Sequence, residues 1–192
     1  MSIKTKIQKD IRSWSKEVLE EPVEFLNGFP PCPFAKSAWK QKKVSIEVFS
    51  FPDECKEGLI GCPEIFDTGI KSILEDNWQE LGSADSVDTA CMEANKVLAP
   101  SDIYLMSFHP EDRPTSENFQ FLYKSYNEQP DLDYYAMIFV QRLSLLNAAS
   151  ESLMSKGYYD NWSVKEYNSL VDPRWEARFI SEKYNEKEDT ND

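Results

Sequence analysis

Apolar residues along this chain recur at helical spacing first. Ile3, Ile7, Ile11, Trp14, Val18 and Leu19 fall on one face of a helix over 3–20, which Pro22 ends or interrupts. Val44, Ile46 and Val48 then alternate with polar neighbours and predict a strand over Lys43–Phe49. The stretch from Pro52 to Pro63, with Gly58 and Gly61, reads as a loop. Helical period returns between Glu64 and Leu81, through Ile65, Phe66, Ile70, Ile73, Leu74 and Trp78. After a break at Gly82, Asp85 or Ser86 caps a second helix to Leu98, with Val87, Cys91, Val97 and Leu98 inward.

Ile103–Phe108 reads as a buried strand that runs into His109 and Pro110. Thr115 or Ser116 caps a short helix carrying Phe119, Leu122, Tyr123 and Tyr126. Tyr134 to Leu146 fits a central strand or the start of a helix to Met154, because a short apolar run has no distinguishing period. The reading adopted is a strand to about Val140, then a helix from Leu143 to Lys156 ended by Gly157. Ser163 caps a helix to Leu170 within an aromatic region that includes Tyr158, Tyr159, Trp162, Tyr167 and Trp175. Glu182 to Asp192 cannot bury apolar surface and reads as a disordered acidic tail. Alternating strands and helices predict an α+β fold: one globular domain over 1–181, a small mixed sheet of three or four strands covered by helices, and the tail over 182–192.

Composition narrows the function classes. The chain has 192 residues, 34 acids against 21 bases and a formal net charge of −13. A nucleic-acid binder needs a basic face, and the only basic cluster here is Lys36 to Lys43, so direct nucleic-acid binding is disfavoured. No apolar run reaches membrane-spanning length, and the N-terminus does not read as a signal peptide, so a cytoplasmic protein is expected. The Lys, Asn and Glu content with few glycines resembles AT-rich genomes, phages among them, for which the compartment is the host cytoplasm. The four cysteines, Cys32, Cys55, Cys62 and Cys91, form no C-x-x-C pair, and His109 is the single histidine. A finger-type zinc site is therefore weakly supported, and a two-histidine iron triad is excluded within one chain. Cys55 and Cys62 can pair in a folded-back loop, although a reducing compartment favours free thiols. There is no Gly-rich phosphate loop. No cofactor is indicated.

The candidate chemistry gathers around Asn27 to Lys36. Pro30 and Pro31 stiffen the entry, and Pro33 suits the first turn of a helix. Cys32 then lies near a helix N-terminus, with Lys36 about one turn on, a setting that lowers a thiol pKa. The structural alternative is a small buried cysteine packed by Phe29, Phe34 and Trp39. His109, at a strand end, is the one candidate base for a Cys32–His109 pair, or else a residue that caps its turn. Asp112 and Arg113 are an anion-binding pair or a plain surface ion pair. Two function classes follow: a small-ligand or thiol-chemistry site built on Cys32, His109 and Lys36, or a non-enzymatic interaction protein whose aromatic C-terminal third docks a protein partner.

Two blocks carry a family resemblance. Asn27-Gly28-Phe29-Pro30-Pro31-Cys32-Pro33-Phe34-Ala35-Lys36 after Trp14, and Ser107-Phe108-His109-Pro110, resemble an uncharacterised bacterial family. That family has an Asn-Leu-Cys-Pro-Phe-Ala-Lys motif followed by Ser-Phe-His-Pro at a strand end. This chain departs by extra residues before the cysteine and by lacking the family's Asn-Arg-Ser-Pro-Tyr-Pro segment, of which Asp112-Arg113-Pro114 is only an echo. The resemblance implies that Cys32 and His109 share a pocket, and it implies no reaction. Cys32-Pro33-Phe34-Ala35 also resembles a monothiol glutaredoxin motif, but a helix and a proline pair precede it where a strand should stand.

Overall fold

A computed structural model describes residues 2–50, 56–61, 84–109, 116–123 and 135–177. Across these residues the fold is α+β, built on a four-stranded mixed sheet. The N-terminal helix α1 spans Ile3–Trp14, with Ser2 accepting from the Thr5 amide as its cap. The helical pattern expected over 3–20 does not stay α-helical throughout. It widens into a π-helical turn at Ser15–Leu19, just before Pro22. A short helix α2 follows at Ala35–Lys40, then strands β1 (Ser45–Ser50) and β2 (Lys56–Gly61). Helix α3 spans Ala84–Leu98, β3 Ile103–Phe108, β4 Ala136–Arg142, α4 Leu143–Met154 and α5 Val164–Leu170.

The sheet order is β1-β2-β4-β3, with β1 antiparallel to β2, β2 parallel to β4 and β3 antiparallel to β4. Strand β2 corrects the sequence reading, which placed a loop from Pro52 to Pro63. Two glycines in its six residues, Gly58 and Gly61, remove the alternation that marks a strand. Tertiary pairing on both sides makes it a central strand regardless: Gly58 lies opposite Val48 of β1 and Met137 of β4.

One face of the sheet is covered by α1. Ile7 and Ile11 pack with Ile46, Phe108 and Met137, reaching from β1 across to β3, and Trp14, Trp39, Val44, Val48 and Phe139 complete the cluster. Tyr135 donates to Asp10 of α1 at 2.8 Å, which ties the helix to the start of β4. The opposite face carries Leu105, Ile138 and Val140, all buried. Helix α3 runs along β3 on this side, where Ser107 donates to Asp88. Asn95 of α3 reaches the outer edge of β3. Its Nδ2 donates to the Leu105 carbonyl at 2.9 Å and its Oδ1 accepts from the Leu105 amide at 2.7 Å. Of the α3 residues expected inward, Val87, Cys91 and Leu98 are buried, whereas Val97 is 70% exposed. Leu98 already fills the inward position, and Val97 lies about 100° away on the helix.

The ambiguous run after Tyr134 resolves as strand then helix. Arg142 still has an extended backbone and α4 begins at Leu143. Asp102, in the left-handed region at φ 61, caps that helix from a distance. Its carboxylate accepts from the Ser144 amide at 2.7 Å and the Ser144 hydroxyl at 2.8 Å. Gly157, with φ 83, ends the helical run as expected. Ser163 caps α5 in a full capping box, with Glu166 returning the bond to the Ser163 amide at 2.7 Å. The expected helix at Glu64–Leu81, the Cys55–Cys62 pair and the acidic tail lie outside the described residues. None of the described helices is long and apolar enough to cross a membrane.

Candidate functional site

Cys32 sits in the Pro-rich turn between the π-helical turn and α2. Its amide donates to the Leu19 carbonyl at 3.0 Å, and its own carbonyl accepts from Ala35 at 3.0 Å. The chain thus folds back so that Cys32 lies against the end of the N-terminal helical run. Phe34, not Cys32, occupies the cap position of α2, and it makes no side-chain cap bond.

The electrostatics oppose the sequence expectation of a low-pKa thiol. Burial pushes the Cys32 pKa up, the Phe34 and Ala35 amides pull it down, and the Glu20 carboxylate adds to the upward shift. Glu20 is itself held in place. Its side chain is only 5% exposed, and it pairs with Arg12, whose guanidinium stacks 4.8 Å from the Trp39 ring centroid. Trp39 in turn donates to Ser15 at 2.8 Å. The helix-start amides expected to favour a thiolate are present, but desolvation outweighs them. Lys36, expected to assist, is exposed on α2.

On its other side Cys32 meets the aromatic region. Tyr158 donates to the Pro31 carbonyl at 2.8 Å, and Cys32 adds to the burial that pushes the Tyr158 phenol well up. Phe29 and Tyr158 rings lie 5.9 Å apart. Tyr159 and Trp162 meet edge to face at 5.0 Å, Phe119 and Trp162 at 4.9 Å, and Phe25 stacks on Trp162 at 6.4 Å. Asparagines close the seam. Asn27 donates to the Gly157 carbonyl, and Asn161 donates to the Phe25 carbonyl and the Asn27 side chain, both at 3.0 Å. Tyr158, Tyr159 and Trp162 of the aromatic third thus pack with residues 23–29. Offset and edge-to-face ring contacts stabilise that packing beyond simple burial.

His109 is buried at the end of β3. Its neighbour Phe108 belongs to the cluster beneath α1, with Trp14 5.1 Å away, whereas Phe29 and Tyr158 beside Cys32 belong to the aromatic cluster. The two blocks meet through Trp14 and Phe108, while the Phe29 side of the Cys32 turn packs in the aromatic cluster. Asp112 and Arg113 lie outside the described residues. Cys91 is buried in α3, where burial and then Asp88 push its thiol up to about 12. Among the described residues no group of three or more His, Cys, Asp or Glu side chains is placed to hold a metal ion.

Sequence reasoning missed the two groups that set the character of the Cys32 site, Glu20 and Tyr158. The pairing of Glu20 with Arg12 spans the π-helical turn, and the Tyr158 contact joins segments 127 residues apart. Local spacing carries no signal for either. No family model, no curated protein and no solved structure matches this chain.

Proposed function

We propose that this chain is a non-enzymatic accessory protein of the cytoplasm, acting through association with a basic protein partner. The observation that supports it is the Cys32 thiol, kept neutral by burial and by Glu20, and so poorly suited to nucleophilic work. The formal charge of −13 supports a partner of opposite sign. On this reading the Cys32–Lys36 block that resembles the bacterial family is a packing motif. It seats the turn against Leu19 on one side and Tyr158 on the other.

Alkylation with a small electrophile across pH tests this. At pH 7 Cys32 should react more slowly than a free cysteine, whose pKa is about 8.5, and its rate should rise only in strongly alkaline buffer. Cys32→Ala and Cys32→Ser should both melt close to wild type, because a serine oxygen can accept from the same Phe34 and Ala35 amides that reach the sulfur. A single fast thiol at pH 7, lost in Cys32→Ser with the fold intact, would restore the thiol-chemistry reading.

A further inference from the structure

Of the ten asparagines in this chain, Asn27 alone precedes a glycine. In such a pair the backbone nitrogen can attack the side chain before it. Glycine has no Cβ to screen that nitrogen, and it permits backbone angles that other residues resist. Asn27 and Gly28 are both exposed, so water reaches them. They close the 3-10 turn at Glu24–Leu26, with Asn27 at φ 53 and ψ 36 and Gly28 at φ 78.

The fold holds the two reacting groups apart. Ring closure needs the Gly28 nitrogen to swing to the Cβ side of Asn27. Instead the Gly28 amide donates to the Val23 carbonyl at 3.0 Å and is turned into the loop. The Asn27 side chain is fixed at both of its ends. Its Nδ2 donates to the Gly157 carbonyl, and its Oδ1 accepts from Asn161 Nδ2 at 3.0 Å. An atom that faces a carbonyl oxygen has to be a donor, so this bond needs the amide and not a carboxylate. Asn161 also donates to the Phe25 carbonyl at 3.0 Å. The labile amide is thus the group that ties the 23–29 turn to the segment at 157–161.

We propose that Asn27 is a deamidation site, shielded while this tie is closed, and that its conversion releases the 23–29 turn from residues 157–161. When the tie opens, the Gly28 nitrogen attacks Asn27 Cγ. A bond forms between them, the Cγ–Nδ2 bond breaks, and Nδ2 leaves as ammonia with the proton lost by Gly28. Water then opens the resulting succinimide ring at either carbonyl and yields aspartate or isoaspartate. Nothing is oxidised or reduced. Both products lack the Nδ2 donor, and a carboxylate oxygen set against the Gly157 carbonyl pairs two acceptors with no proton between them. Isoaspartate also adds a methylene to the main chain of a turn closed by its own backbone bonds. This modification goes beyond the proposed partner association and does not depend on it.

Incubation of the full chain at neutral pH, in buffer and in urea, with peptide mapping over time, tests the assignment. In urea Asn27 should convert ahead of every other asparagine. In buffer its rate should be lower by about tenfold or more, because only the opened fraction reacts. Asn161→Ala removes the donor to Asn27 Oδ1. It should raise the rate in buffer severalfold and leave the rate in urea unchanged. Asn27→Asp makes the aspartate product directly. It should quicken amide exchange at Tyr158 and Trp162 while β3 and β4 stay protected. Equal rates in buffer and urea would overturn the shielding, as would an Asn161→Ala rate in buffer equal to wild type. Wild-type exchange in Asn27→Asp would overturn the release.

Discussion

The packing beneath α1 and the packing around Tyr158 are two different ways of holding this chain together. Beneath α1, Ile7, Ile11, Ile46 and Met137 form a mostly aliphatic layer whose members arrive at fixed helix or strand spacing. Around Tyr158, rings from residues 25–29, 119–121 and 158–167 meet edge to face, and asparagine amides close the gaps between strand-free segments. The first region owes its strength to regular elements burying one face. The second is assembled from helix ends, 3-10 turns and the connections between them, so side-chain amides and ring geometry join pieces that share no backbone ladder. The comparison teaches that the sheet should behave as the cooperative centre, with the aromatic region as a separately adjustable clasp.

The largest effect should come from Ile11→Ala. This side chain is among the most buried in the protein, and its truncation should cost about 2–5 kcal/mol. Urea unfolding should show a lower midpoint with an unchanged slope. Next is Gly157→Ala, which needs a left-handed backbone and brings a Cβ within 2.8 Å of Asp160 Oδ2. We expect a loss of about 1–3 kcal/mol. Amide exchange should quicken at Tyr158, Trp162 and Tyr167 while β3 and β4 stay protected. Equal quickening in the sheet would mean that the two regions are one unit and the contrast fails.

A smaller effect distinguishes the clasp by pH. Ser116 first, then the Ser163 amide and Asn118, hold the Glu166 carboxyl down to about 2. Against an ordinary value of about 4.3, a depressed carboxyl adds stability that is complete above that pH and disappears as pH falls toward 2. Glu166→Gln should therefore destabilise at neutral pH, by about 1 kcal/mol, and converge with wild type in acid. Thermal melts at pH 7, 4 and 2 check the convergence. The smallest shift has the opposite sign. Asn147→Leu should stabilise by about 1 kcal/mol, because it removes two unmet buried polar atoms from α4. A lower melting temperature would show that the amide is already satisfied.

The α1 layer was readable because Ile7, Ile11 and Trp14 keep helical spacing and Val44, Ile46 and Val48 keep strand spacing. Ser163 and Gly157 were readable because caps have residue signatures. Strand β2 was not, since Gly58 and Gly61 make sense only once β1 and β4 stand on either side. The thiol character of Cys32 was also hidden. The helix-start amides can be inferred from Pro33 and Ala35, but the burial and the Glu20 neighbour that outweigh them come from the folded-back chain. One further signal was available and unused: Asn147 is an amide on the apolar stripe of Leu143 and Leu153.

Asn95 has a consequence for how this protein can meet others. By taking both the amide and the carbonyl of Leu105, its side chain stands where the next strand would begin. An outer strand with free backbone groups is a template on which a foreign strand, or a second copy, can extend the sheet. At Leu105 the template is already occupied, so growth of the sheet in that direction is blocked at its middle. Recognition on this side must be read from side chains, and the same asparagine guards this stretch of β3 against ribbon-like self-assembly.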